Sequence, residues 1–152
     1  MSYEIPAGTA RIINKSKNIA IQFNLLRVSS LCLLLSAIEN EQVLLMLKKM
    51  NIDTGKLESE IKKVLSNHKD LVGEESSVQP QTYNSDDISL DTDCTRVMKL
   101  VVLEDKLANG KKDSSELVLL ALLHDRQNEA KKLLADFGAD YAKLQEESAA
   151  NK

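Results

Sequence analysis

Ser30-Leu31-Cys32-Leu33-Leu34-Leu35-Ser36-Ala37-Ile38 and Ser115-Glu116-Leu117-Val118-Leu119-Leu120-Ala121-Leu122-Leu123 read as two versions of one segment, 85 positions apart. Each follows or opens on a serine pair and is then almost wholly apolar. A helix that is hydrophobic nearly all round must be buried on several sides. Self-similarity at a fixed offset marks a duplicated structural unit.

The match extends downstream. Val43, Met46, Leu47 and Met50 follow the i, i+3, i+4, i+7 spacing of one helical face, and Ala130, Leu133, Leu134 and Phe137 repeat it. Asn51-Ile52-Asp53 and Gly138-Ala139-Asp140 then each read as a helix stop, an inward-facing residue and an Asp that caps the next helix. That next helix carries Leu57, Ile61, Val64 and Leu65 in the first copy, and Tyr141 and Leu144 in the second. The second copy holds about two extra residues near Arg126-Gln127, a loop insertion. Upstream, Ile12, Ser16, Ile19 and Phe23 open the first copy, and Val97, Leu100, Leu103 and Leu107 open the second, which ends at Asn109-Gly110. The opening segments match less well, because Glu104 and Asp105 fall where the first copy has Ile19 and Ala20.

The expected fold is all-α: eight helices in a pseudo-two-fold duplication of a four-helix repeat, packed as one domain over 1–152. The first repeat spans 9–70 and the second 92–147. Between them, 71–91 is rich in Ser, Asp, Glu and Gln and reads as an acidic mobile linker.

Composition limits the function. With 43% hydrophobic residues, 3% aromatic and no Trp, the core must be aliphatic. The net charge of -3 and the scattering of Lys and Arg in singles and pairs argue against nucleic acid as a partner. No basic region followed by an apolar stretch opens the chain. The apolar run 25–38 is shorter than the ~20 residues needed to cross a bilayer, so no membrane role is expected.

Catalytic signatures are missing. No nucleophile elbow, HExxH, Rossmann glycine fingerprint or Walker A loop occurs, and Gly55-Lys56 lacks the upstream glycine of a phosphate loop. His68 and His124 read as helix-end histidines favoured by the C-terminal dipole, without metal-ligand spacing. Cys32 reads as a small core residue, and Cys94 shares no metal or redox spacing with it. The expectation is no catalysis, no metal and no cofactor. Glu116 is the one carboxylate singled out. Asp113-Ser114-Ser115-Glu116 has capping-box spacing, which accounts for the residue structurally, and a peptide- or adaptor-binding role requires its carboxylate to face a groove between the repeats.

These paired segments, each followed by an amphipathic helix and an Asp-capped one, resemble the double repeat of the Clp N-terminal domain of Hsp100/Clp AAA+ unfoldases such as ClpA and ClpC. The family hallmark is Thr-Glu-His-Leu-Leu-Leu-Ala-Leu-Leu once per repeat. Residues 116–123 match it with Leu117 in place of the His, and 31–38 keep the apolar part without Glu or His. Thr9 and Thr92 lie near the family's helix-opening Thr without strict register.

The resemblance implies a cytoplasmic docking domain for protein substrates and adaptors, which a Clp ATPase unfolds and delivers to its protease. AAA+ modules would lie outside this chain, whose small polar tail, 148–152, fits a boundary within a linker. In the ClpC-like branch the hallmark glutamates help recognise phosphorylated arginine. Only Glu116 carries over, and Leu31 cannot accept a guanidinium hydrogen bond. The alternatives are the N-domain of a type VI secretion Clp relative that grips a sheath helix, and a stand-alone adaptor of the same fold.

Overall fold

A computed structural model describes residues 8–23, 25, 27–67 and 89–150. The described residues form eight helices: α1 Thr9–Gln22, α2 Ser30–Ala37, α3 Glu41–Lys49, α4 Thr54–Ser66, α5 Thr92–Leu107, α6 Ser114–His124, α7 Glu129–Asp136 and α8 Tyr141–Ala150. The expected eight-helix duplication is present. His68 and most of the expected linker, 71–88, lie outside the described residues.

Two short apolar helices form the centre. Every residue of α2 is buried, as are Leu117 through Leu123 of α6, and the two helices pack on each other. Around them α1 lies on α2, α5 on α6, and α4 and α8 close the two flanks. Burial gives the repeat register. Positions 9, 12, 16 and 19 of α1 are buried, and adding 85 gives 94, 97, 101 and 104 of α5, also buried.

Local chemistry explains the helix ends. Asn40 accepts from the Gln42 and Val43 amides at the start of α3, and Asn128 accepts from the Lys131 amide at the start of α7. Asp53 and Asp140 cap α4 and α8, as their spacing predicts. After α3 and α7 the chain turns left-handed at Asn51 (φ 64°) and Gly138 (φ 94°). There the Ile52 amide donates to Leu47 O at 3.0 Å and the Ala139 amide to Leu134 O at 2.9 Å, satisfying carbonyls the helix leaves open.

Two expectations are corrected. Residues 89–91 are not linker: Ser89–Leu90 pairs as a parallel two-residue strand, β2, with β1 at Arg27–Val28, and Asp91 caps α5 on the Cys94 amide. This bridge ties the α1–α2 connection to the entry of the second repeat. The stripe Val97, Leu100, Leu103, Leu107 does not face the core as a unit. Leu103 is 41% exposed and Leu107 62%, while Cys94, Val97, Met98, Val101 and Val102 point inward. Two successive three-residue steps lag a helix by about 120°, which carries Leu103 off the face that Val97 occupies.

Candidate functional site

Three helix N-termini converge where the repeats meet. Gly8 precedes α1, Asn40 to Gln42 open α3, and Asp113 to Ser115 open α6. They line an open groove of about 480 Å³ with Arg11 and Lys15 of α1. The Asn40 side-chain amide donates to Asp113 Oδ2 at 3.2 Å, joining the cap of one repeat to the cap of the other. Lys15 pairs with Glu39 at 3.0 Å on the groove's edge. The surface is polar and offers both donors and acceptors.

On the other side of Glu39 the character changes. Ile19, Phe23, Leu35, Ile38 and Leu44 line a cleft of about 390 Å³ between α1, α2, α3 and α4. Thr54, Glu58 and Lys62 form its rim, with Glu58 and Lys62 paired at 3.0 Å. Glu39 borders both the groove and the cleft, so a trough with an apolar floor and a charged rim meets a polar one at the Lys15–Glu39 pair.

The second repeat is built differently at matching positions. Arg96 grips Asp125, Nε to Oδ1 at 2.6 Å and Nη2 to Oδ2 at 2.9 Å, and also donates to Asp93 and to Gln127 O. Burial alone would raise the Asp125 carboxyl, but hydrogen bonds from Arg96 and Asn128 and the guanidinium charge outweigh it, leaving the pKa lowered. The two extra residues noted in the sequence fall in this 125–128 turn. Asp125 itself precedes the insertion and matches Asn40 of the first repeat; the inserted residues add the Gln127 carbonyl as a further acceptor for Arg96.

Glu104, where the two repeats mismatch, is a second buried carboxylate. It sits on α5 and is 3% exposed. Tyr141 Oη donates to its Oε2 at 2.7 Å, and His124 Nδ1 lies 2.7 Å from the same oxygen. Burial, and then the neighbouring Glu104, push the Tyr141 hydroxyl well above its ordinary pKa. His124 does end α6, yet its partner is this carboxylate from another helix. The available signal was the mismatch with Ile19: a carboxylate where the repeat keeps an apolar residue needs a partner.

Glu116 lies in the first turn of α6, its side chain 13% exposed and 3.5 Å from Lys112 Nζ. Asp113 caps the helix by accepting from the Ser115 amide at 3.0 Å. Asp113, Ser114 and Ser115 line the inter-repeat groove, and Glu116 follows them. Lys112 lies before the Asp113 cap, outside α6, so this is a loop-to-helix ion pair, and at 3.5 Å it contributes about 1 kcal/mol at most. Glu116→Gln, which keeps the shape of the side chain, is therefore expected to stay within about 1 kcal/mol of the parent in chemical denaturation. Unchanged stability with weakened capture of an unfolded protein would give Glu116 a binding role; unchanged stability and capture would remove it from the site.

Cys32 and Cys94 are buried free thiols, both pushed above the ordinary value chiefly by burial. Among the described residues no three His, Cys, Asp or Glu side chains are grouped to hold a metal, and no single helix is long and apolar enough to cross a membrane.

The Clp repeat (R) N-terminal domain family matches residues 7–137. The chain belongs to that family. As a Clp N-terminal domain it also superposes on solved structures. The Hsp104 N-terminal domain from Candida albicans aligns with a TM-score of 0.72 at 16% identity, covering 95% of this chain and 89% of that one. A protein from structural investigations of a malarial protein secretion system aligns with the same score at 17% identity, covering 92% and 88%. At such identities the likeness shows the fold alone. No curated protein sequence matches this Clp N-terminal domain.

Proposed function

We propose that this Clp N-terminal domain docks protein substrates and adaptors for a Clp-type AAA+ unfoldase, which unfolds them and passes them to a protease. The observation carrying this reading is the junction at Glu39 between a cleft with an apolar floor and a polar groove. Unfolded polypeptides and adaptor segments present both characters within a few residues. Apolar side chains enter the cleft, and polar backbone is held along the helix N-termini. The troughs are open and small, at about 390 and 480 Å³, which suits capture and release rather than a permanent complex. ATP hydrolysis would belong to AAA+ modules elsewhere in the protein, in the cytoplasm. No chemistry and no cofactor are assigned to this domain.

Leu44→Glu tests the reading. Leu44 is half-buried and lines the cleft, so the substitution places a charge there without emptying the core. Binding of β-casein, an unfolded probe, is expected to weaken at least tenfold in fluorescence anisotropy, about 1.4 kcal/mol. Unchanged affinity in a folded variant would remove the cleft from the proposal. Weak binding to several unfolded proteins fits delivery for degradation. Tight binding to one amphipathic helix alone would favour the type VI secretion alternative.

A further inference from the structure

The duplicated register exposes an asymmetry between the repeats. The cleft is lined by Ile19, Leu35, Ile38 and Glu39, with Thr54 at its rim. An offset of 85 carries the first four to Glu104, Leu120, Leu123 and His124, and an offset of 87, after the insertion, carries Thr54 to Tyr141. The greasy floor is therefore kept, since Leu120 and Leu123 are buried as Leu35 and Ile38 are. Phe23 and Leu44 also change, to Ala108 and to Lys131, whose Nζ is held on Asp125 O at 2.6 Å, and the changes at 104, 124 and 141 are the ones that bond to one another in the second repeat.

Those bonds make a closed cluster. Glu104 comes from α5, His124 from the end of α6 and Tyr141 from the start of α8. Tyr141 Oη and His124 Nδ1 both lie 2.7 Å from Glu104 Oε2, and the two rings face each other at 4.7 Å between centroids, tilted by 35°. In the first repeat the same places hold a methyl-bearing Ile19, a Glu39 turned outward to Lys15, and the small Thr54. The first set leaves space between α1 and α4. The second set puts two rings and a buried carboxylate across the matching space between α5 and α8. Opening it would strand a carboxylate that is 3% exposed without its donors, so the cluster holds itself shut.

We propose that Glu104, His124 and Tyr141 are a lock that closes the second repeat's counterpart of the docking cleft, so that each chain offers one apolar cleft, on the first repeat. The fold thus contains two potential polypeptide sites, of which the second is occluded by its own side chains. The inference rests on the reading that the first-repeat cleft docks polypeptide, and it adds which residues set the number of sites.

The test grafts the first-repeat residues onto the second: Glu104→Ile, His124→Glu and Tyr141→Thr together in the full chain. Backbone amide spectra are followed by NMR during titration with β-casein, in the parent and the triple variant. The parent is expected to shift around Ile19, Ile38 and Leu44 only. The variant is expected to add shifts around Leu120 and Leu123 and to double the binding stoichiometry. A folded variant that shifts only in the first repeat overturns the lock, as does a parent that already shifts around Leu120 and Leu123. A parent with no shifts around Ile19 and Leu44 overturns the docking reading instead. If the triple variant does not fold, Tyr141→Thr alone must show the second set of shifts at partial occupancy; a folded single variant without them overturns the lock.

Discussion

Replacing Arg96 with methionine is expected to destabilise the domain by about 3 kcal/mol at neutral pH, the effect of stranding a buried charge. Asp125 is 2% exposed and takes two hydrogen bonds from the Arg96 guanidinium. Methionine fills comparable space but supplies no donor, leaving Asp125 with Asn128 Nδ2 at 3.0 Å and the Arg126 amide. The pH dependence gives a second readout. In the folded parent the Asp125 carboxyl is held below its ordinary value. Its contribution is therefore fully present above the ordinary carboxylate range and is lost as pH falls through the lowered value. In the variant burial acts without the guanidinium, so that contribution is already gone at neutral pH. The gap between parent and variant should be widest at pH 7 and narrow below about pH 4 in urea denaturation. A loss under about 1 kcal/mol at pH 7 would mean that solvent reaches Asp125 and the burial argument fails.

Leu119→Ala should be comparably damaging, at about 3 kcal/mol or roughly 10 °C in Tm. Leu119 is fully buried in α6, the helix packed on α2, and its counterpart Leu34, 85 positions earlier, is fully buried in α2. Truncating either side chain loses its transfer free energy and leaves a cavity between two helices already enclosed by the other six. Leu34→Ala is expected to match Leu119→Ala within about 1 kcal/mol, because the two leucines hold the same place in their repeats and both are fully buried. Thermal melts of the two variants check this. A mild effect from one and a severe one from the other would show that the halves do not share one core.

Much of the architecture could be read directly from the chain. The twin apolar segments announced the duplication, and the matched Asn51-Ile52-Asp53 and Gly138-Ala139-Asp140 placed two helix stops and two caps that the structure reproduces. These features are local, set by backbone geometry and by bonds to amides within one turn. The α5 stripe failed because several apolar residues at similar spacing compete for one face, and packing selects among them. The candidate site was less legible. Glu116 stood out through its capping motif and the family hallmark, whereas the apolar cleft is assembled from α1, α2, α3 and α4, with no short motif containing it.

The sequence alone determined the helical class, the doubling, the caps and an aliphatic centre, because periodicity and helix termini depend on neighbours a few residues away. Tertiary structure decided which polar groups meet across helices. It brought the Ser30 hydroxyl to accept from the Ala130 amide, a hundred residues distant, at 3.1 Å. It also placed Arg96 on Asp125 and gathered His124 and Tyr141 around Glu104. Such partners are fixed only when the two repeats close on each other and exclude water, for only then must each buried polar group find a mate.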